Sequence, residues 1–378
     1  MNINDKKIMC TGCGGCANVC PKDAISIKYD INGFLKPFIS NDKCVQCSRC
    51  VSVCPVLETQ KNRYKKSYYY GSINDKKRSQ TSSSGGMFAA LADKVIELNG
   101  VVYGAAYNSD YSAVEAMSTA GVSVEQLQGS KYVQSNTKNV YRSISKDLKE
   151  GKIVLFCATP CQIAAARNIF KENLNLILVD FICGGVTPAT VFSSHMRWLE
   201  QRYESTITSI NFRDKAKGWN KPHIRITFAN GKEYFSSYHY DYYYYYFYCT
   251  KLMKNEYCLQ CSFTRHEQSD ITIADFWGYK RANLTNIKEG VSLFVVNSAV
   301  GQKTLNLIKN DVSLTEISED LANYAYEEKK CTGKELDERK SFLEQISREG
   351  FDRTAEKNYF RYGKLGVLAQ RIIKRIVK

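Results

Sequence analysis

Two cysteine runs near the start of the 378-residue chain limit what it can fold into more than any other feature. The first is Cys10-x2-Cys13-x2-Cys16-x3-Cys20-Pro21, and the second is Cys44-x2-Cys47-x2-Cys50-x3-Cys54-Pro55. Three thiolates spaced this closely wrap three irons of one cubane, while the fourth, beyond a turn, points to the neighbouring cubane. The pattern predicts two 4Fe-4S clusters. Cys10, Cys13, Cys16 and Cys54 would hold the first; Cys44, Cys47, Cys50 and Cys20 would hold the second. Gly12, Gly14 and Gly15 allow the backbone to fold tightly around sulfur. Tetrahedral zinc takes four ligands, usually as two pairs, and gives no reason for two identical runs of four.

The head is thus expected to be an α+β ferredoxin-like two-cluster domain over residues 1–60. Such a module moves single electrons and has no substrate chemistry of its own. Fifteen cysteines in so long a chain, with no apolar stretch in MNINDKKIMC, favour metal ligation over a secreted disulfide scaffold. No run approaches the roughly 18 apolar residues of a membrane span, so a cytoplasmic location is expected. The net charge of +15 raises nucleic-acid binding. Abundant Lys, Asn, Ile and Tyr also follow from an AT-rich coding sequence, however. Three cubanes on four thiolates each, at about −2 apiece, would lower the total to roughly +9. Nucleic acid is not an expected partner.

Residues 61–80 are polar and basic and read as a linker around one short strand. From residue 81 helices and strands alternate. Phe88, Leu91, Val95 and Leu98 recur at helical spacing before Gly100. KIVLFCAT, PCQIAAARNIFKEN and LNLILVDFIC read as strand, helix, strand, with Thr159 as N-cap and Pro160 at the first helical position. This βαβ unit predicts parallel pairing. TPATVFSSHMRWLEQRY is a further expected helix, HIRITFANGKEYFSS a hairpin turning at Asn230-Gly231, and DITIADF and SLFVVNS later strands. Residues 81–335 are expected to form the main domain and 336–378 a helical basic tail. In the tail, Leu365, Leu368, Ile372 and Ile376 share one helical face and lysines and arginines surround it. That pattern suits a terminal helix packed on its own domain, or peripheral contact with a membrane or partner.

SSSGGMFAALADKVIELNGVVYGAAY, GSKYVQS, VLFCATPCQIAAARNIF, VDFICGGVTP, FRDKAKGW and CLQCSFTRHEQSDITIADFWG stand in an order that resembles the family of coenzyme F420 hydrogenase/dehydrogenase beta subunits. The resemblance runs from about Cys10 to Gly278. It implies an α/β flavin-binding domain with a mixed, partly parallel sheet, FAD, and electron exchange between iron–sulfur clusters and a hydride-accepting substrate such as a deazaflavin. Relatives that reduce other molecules leave the substrate unnamed. Many bacterial relatives have Cys-His-Gly where this chain has Cys183-Gly184-Gly185, so any proton-donating role of that histidine is missing here. Cys157 stands where smaller residues are commoner.

The residues give independent candidates. Ser82, Ser83, Ser84, Gly85 and Gly86 precede a helix, so hydroxyls and free N–H groups could cradle a diphosphate; a serine-capped helix without ligand is the alternative. Gly129, Ser130, Lys131 and Tyr132 form a second candidate flavin contact. Cys161 lies in the first turn of its helix, Cys183 ends a parallel strand, and Cys258 and Cys261 form a CxxC pair. Together they could hold a third 4Fe-4S cluster; zinc and plain buried cysteines are the alternatives. Cys157, Cys249 and Cys331 read as structural or free. Asp275 and Trp277 are the candidate catalytic residues bordering the flavin, with Asp275 either accepting a proton or capping a turn. Arg213, Lys215 and His223 are candidate anion contacts or ordinary surface charges, His195 a packing residue, and His266 a neighbour of the CxxC ligands. The tyrosine run from His239 to Tyr248 is either an aromatic wall over a planar substrate or packing. The expected partners are a ferredoxin-like or other redox protein and a small-molecule hydride acceptor or donor. The alternative is an electron-transfer subunit without its own substrate site.

Overall fold

A computed structural model describes residues 1–6, 8–58, 64–264, 266, 268–323 and 333–362. Cys331 and the basic stretch 363–378 lie outside the described residues.

In the head, strands β1 (Ile25–Tyr29) and β2 (Leu35–Ile39) form an antiparallel hairpin. One-turn helices at Gly15–Asn18 and Arg49–Ser52 follow the second cysteine of each run and carry the third. The runs share a backbone. Gly12 and Gly14 in the first, and Gln46 and Ser48 in the second, all take left-handed φ between 51° and 75°.

The main domain is built on an eight-stranded mixed sheet ordered β13-β3-β12-β11-β7-β6-β4-β5. Its strands are β3 (Ser67–Ile73), β4 (Val101–Tyr107), β5 (Val114–Ser118), β6 (Val154–Cys157), β7 (Leu176–Phe181), β11 (Ile271–Asp275), β12 (Ser292–Val296) and β13 (Val312–Ile317). β4, β6, β7 and β11 run parallel, and the flanking pairs are antiparallel. The predicted βαβ unit is present: β6, the Pro160–Phe170 helix with its Thr159–Gln162 capping box, then β7. The central strands are apolar on both faces, and both faces are covered. Leu155, Ile177 and Val179 pack beneath helices Met87–Glu97 and Ala299–Ile308. Val154, Phe156, Leu176 and Leu178 pack beneath helices Val140–Lys149 and Pro160–Phe170.

The short strand expected within the linker is β3, and it belongs to the main sheet. β3 pairs with β12 on one side and β13 on the other, inside the sheet. Its Tyr68, Tyr69 and Tyr70 are apolar enough in their rings to sit there. A smaller antiparallel sheet, β10-β9-β8, uses β8 (Ile207–Asp214), β9 (His223–Phe228) and β10 (Glu233–Ser237), with the predicted turn at Asn230-Gly231. The tyrosine run is the helix Tyr242–Tyr248, started by Asp241, whose side chain accepts from the Tyr244 N–H. Tyr243 to Phe247 are buried in an aromatic core shared with Phe342, Phe351 and Tyr359 of the last two helices, Gly333–Glu349 and Phe351–Tyr362. The described part of the expected tail is therefore body. Among the described residues no helix is long and apolar enough to cross a membrane.

Candidate redox site

The cysteines of the two head runs are brought close together. Burial pushes up the thiols of Cys10, Cys13, Cys16 and Cys54, and neighbours within this quartet push Cys13, Cys16 and Cys54 further. Cys20, Cys44, Cys47 and Cys50 line a second, smaller recess. Backbone N–H groups approach sulfur, from Gly12 to Cys10 at 3.3 Å and from Ala24 to Cys20 at 3.3 Å. Buried thiols that resist ionisation alone, with N–H donors aimed at them, fit an iron–sulfur core, whose positive charge favours thiolate. Among the described residues no three His, Cys, Asp or Glu side chains are grouped to hold a single metal ion.

The first quartet faces the main domain. Thr137 and Tyr141 donate hydroxyls to the Cys13 carbonyl at 3.2 and 2.9 Å. Gln134 donates to Thr11 and accepts from Leu35. Arg142 reaches the carbonyls of Asn18 and Cys20 and the Asp23 carboxylate.

Behind this contact stands a third thiol group. Cys161, at the start of the Pro160–Phe170 helix, is pushed up by burial and then by Cys183, Cys258 and Cys261. Burial and the same CxxC pair raise Cys183 to about 12. Cys183 accepts from the Gly185 N–H at 3.4 Å. Cys161 also lies near enough to Cys13 to raise it, and Val56, just past the Cys54-Pro55 turn, packs against the same Ala164, Tyr257 and Phe263 cluster as Cys161 and Cys261. The four cysteines singled out from scattered positions thus meet in one place, between the first head quartet and the sheet. Cys249 is exposed.

Cys183 of this group lines a cavity of about 430 Å³ at the carboxyl ends of β6, β7 and β11, where open α/β sheets bind ligands. Ser83, Ser84, Gly86, Gly129, Ser130, Lys131, Tyr132, Cys183, Asp275 and Trp277 all line it. Gly85 adjoins it, its N–H held by Ser292 Oγ at 2.9 Å. A side chain at Gly85 would meet the Gly71 carbonyl.

Contacts inside the cavity differ from the sequence reading in several respects. The serine hydroxyls are already engaged: Ser82 donates to Arg78 O, Ser84 donates to Val291 O, and Ser83 Oγ accepts from Ser130 N–H at 2.8 Å. The helix Met87–Glu97 is capped by Gly86 and has no side-chain cap bond, so backbone N–H groups rather than hydroxyls are offered there. Lys131 Nζ is folded back onto the carbonyls of Gln128 at 2.7 Å, Gly129 at 3.3 Å and Leu127 at 3.4 Å. Burial pulls its ammonium down to about 7, against an opposing pull from Cys157. Tyr132 stacks on Phe247 at 4.7 Å.

Asp275 takes two hydrogen bonds from Arg213, at 2.7 and 3.1 Å, and one from the Trp219 indole at 2.8 Å. It is the counter-ion of a buried guanidinium that also lies over Trp277. These contacts describe a positioning group more than a ready base. Lys215 ties the carbonyls of Ser79, Ser84 and Glu289 together, and His223 stacks on Phe235 away from the cavity. His266 pairs with the buried Asp180 at 2.8 Å. His195 lies between Asp352 and Asp241. Phe247 and Tyr248 of the tyrosine run reach the cavity, Tyr243 to Tyr246 are core, and Tyr240 is exposed. A larger, shallower groove of about 790 Å³ between the Ala189–Tyr203 helix and residues 349–356 carries no cysteine and lies off the sheet edge.

A ferredoxin-type head locked onto an α/β domain with a thiol-lined cavity defines an iron–sulfur protein of the oxidoreductase class. Comparison with known proteins narrows this. Residues 151–320 match the model for the C terminus of the coenzyme F420 hydrogenase/dehydrogenase beta subunit, and residues 9–57 and 40–101 match 4Fe-4S dicluster domain models. Residues 151–320 thus carry a domain of the kind found at the C terminus of coenzyme F420 hydrogenase/dehydrogenase beta subunits, in keeping with the sequence resemblance. It is 21% identical over 326 residues to the F subunit of the F420H2 dehydrogenase of Methanosarcina mazei, covering 82% of this chain and 84% of the relative. A polyferredoxin-like protein of Methanocaldococcus jannaschii is 44% identical over 58 residues, 13% of this chain and 34% of that one. A chain of the F420-reducing NiFe hydrogenase complex from Methanosarcina barkeri aligns at TM-score 0.46 and 13% identity over 80% of this chain and 93% of its own length.

Proposed function

We propose that the chain is a cytoplasmic, FAD-dependent iron–sulfur oxidoreductase that exchanges electrons between its clusters and a small hydride-accepting or hydride-donating substrate, a deazaflavin coenzyme or another metabolite. The observation that carries this reading is the position of Cys161, Cys183, Cys258 and Cys261. They stand between the first head quartet and the cavity, where a third 4Fe-4S cluster completes a path for single electrons.

FAD, when bound, supplies the exchange between two-electron hydride chemistry and one-electron steps. The residues suit it. The uncapped start of the Met87–Glu97 helix offers N–H groups to a diphosphate. Gly129, with φ of +85° and nothing within 4 Å of a side-chain position, leaves its backbone open to a ligand. Tyr132 and Trp277 supply aromatic faces. The Arg213–Asp275 pair fixes the Trp277 side of the cavity.

Anaerobic purification followed by determination of iron, acid-labile sulfide, zinc and acid-released flavin tests the proposal. About twelve irons and one FAD per chain are expected, by cluster stoichiometry. About eight irons and no flavin in intact protein would favour the second reading, a subunit passing electrons to a catalytic partner. The engaged serine hydroxyls and the folded-back Lys131 speak for that reading. Turnover by the isolated chain would sink it.

A further inference from the structure

The two cysteine runs are not equivalent in their surroundings. The first is enclosed by the main domain: Cys13 is buried, and Gln134, Thr137, Tyr141 and Arg142 cover it. In the second run Cys50 and Cys54 are buried, but the loop Val45–Arg49 faces outward. Cys47 is exposed, and Val45 beside it is 57% exposed. If electrons pass from the outer quartet through the inner one to the cavity, the outer quartet is where an external carrier must approach.

The chemistry of that surface is defined. Lys22, Val45, Gln46, Cys47, Ser48 and Arg49 border the recess of the second quartet, and no carboxylate among the described residues lines it. Lys43 is exposed one residue before Cys44. Of the nearby acids, Asp23 is paired with Arg142, Asp5 accepts from the Asn2 N–H, and Asp42 is exposed. The rim is positive around one apolar side chain and one exposed cluster ligand. This arrangement matches a partner whose own redox centre lies near its surface within a field of carboxylates.

We propose that the loop Val45–Arg49, with Lys22 and Lys43, is the docking face for a small acidic carrier of the ferredoxin type. The inference rests on the head reading as an electron-transfer module and does not depend on FAD. One electron leaves the carrier's reduced cluster and enters the cluster at Cys20, Cys44, Cys47 and Cys50. The carrier is oxidised, the head is reduced, and no bond is made or broken.

The test uses the full chain, purified with its clusters, and an acidic two-cluster ferredoxin as probe. Reduced ferredoxin is mixed with the oxidised chain and bleaching of the cluster absorbance is followed by stopped flow. In the wild type the second-order rate should fall at least tenfold between low and high ionic strength. Combined Lys22→Glu, Lys43→Glu and Arg49→Glu should slow it at least tenfold at low salt, with iron content unchanged. Arg197→Glu with Arg353→Glu, in the groove beside the Ala189–Tyr203 helix, which does not include the second run, should leave it within about twofold. A rate insensitive to salt and to the triple reversal overturns the proposal, as does equal loss in the groove variant. Salt-sensitive capture of RNA that blocks ferredoxin at the same residues also overturns it. Normal reduction by dithionite with no transfer from ferredoxin refutes the docking face and leaves the head reading intact; failure of dithionite to bleach the head refutes both.

Discussion

Glycine placement in the two runs shows how one backbone meets two environments. Gly12 and Gln46 share a left-handed conformation, as do Gly14 and Ser48, so iron ligation alone does not require glycine there. Side chains are excluded from the first run because the main domain presses on it. A Cβ at Gly12 would run into Gln134 and the Leu35 carbonyl, one at Gly14 into Thr137, and one at Gly15 would lie 3.2 Å from Ala165. The loop Val45–Arg49 of the second run faces water and keeps its side chains. Gly14→Ala should therefore lower stability by about 1–3 kcal/mol through strain and overpacking, while Ser48→Ala should be nearly neutral; thermal melts of the anaerobic proteins compare the two. Arg213 gives a second prediction at this scale. Arg213→Ala strands the Asp275 carboxylate in a largely buried site and should cost about 3–5 kcal/mol, measured by denaturant unfolding. Replacing Arg213 and Asp275 together by apolar residues should recover much of that loss.

Among the secondary-structure elements, the final helices are held by an ionic joint that hydropathy does not reveal. His195 of the Ala189–Tyr203 helix lies between Asp241, which starts the tyrosine helix, and Asp352, near the start of Phe351–Tyr362. Burial alone would depress its titration; the two carboxylates overcome that and raise it to about 9. Since the folded value lies above the ordinary value near 6.5, the contribution is complete below about 6.5 and is lost as pH rises through 9. At roughly 1.4 kcal/mol per unit it amounts to about 3 kcal/mol. Stability should fall between pH 7 and 10, and His195→Gln should remove most of that slope; melting temperatures over this range provide the check. The same joint places the tyrosine run. Five consecutive aromatic positions cannot all face one side of a helix, and here they are absorbed by helices on several sides, leaving Phe247 and Tyr248 for the cavity.

For the whole molecule, the arrangement is an ordered series: outer quartet, inner quartet, third quartet, cavity. Cys161→Ser should remove about four irons while leaving the head reducible by dithionite, and turnover in the cavity should stop. Retained turnover with full loss of the third group's iron would show that electrons take another route. Iron analysis and steady-state assay on the same preparation separate these outcomes.

Much of this was legible in the sequence because it rests on short-range rules. Cluster-ligand spacing singled out the two head runs, and an apolar period with Thr159-Pro160 fixed the βαβ unit, since capping and burial act over a few residues. The ordered motifs carried the family resemblance. Other features depend on which surfaces meet. The third group joins Cys161, Cys183 and a pair some 75 residues later, and no local pattern states that they converge. Ser67–Ile73 reads as one short strand within a linker; its place inside the main sheet comes only from β12 and β13, which bond both of its edges. Asp275 has the side chain of a base; Arg213, delivered by the separate β8 strand, makes it a counter-ion. Lys131 has the charge to reach a phosphate, yet the chain's own turn presents three carbonyls nearer to hand. Local sequence thus determined the ligands, the helices and the parallel strands, because their energetics are settled between near neighbours. Tertiary packing decided which cysteines meet behind the head, the role of each charge and the face left to solvent, because those depend on groups brought together from distant parts of the chain.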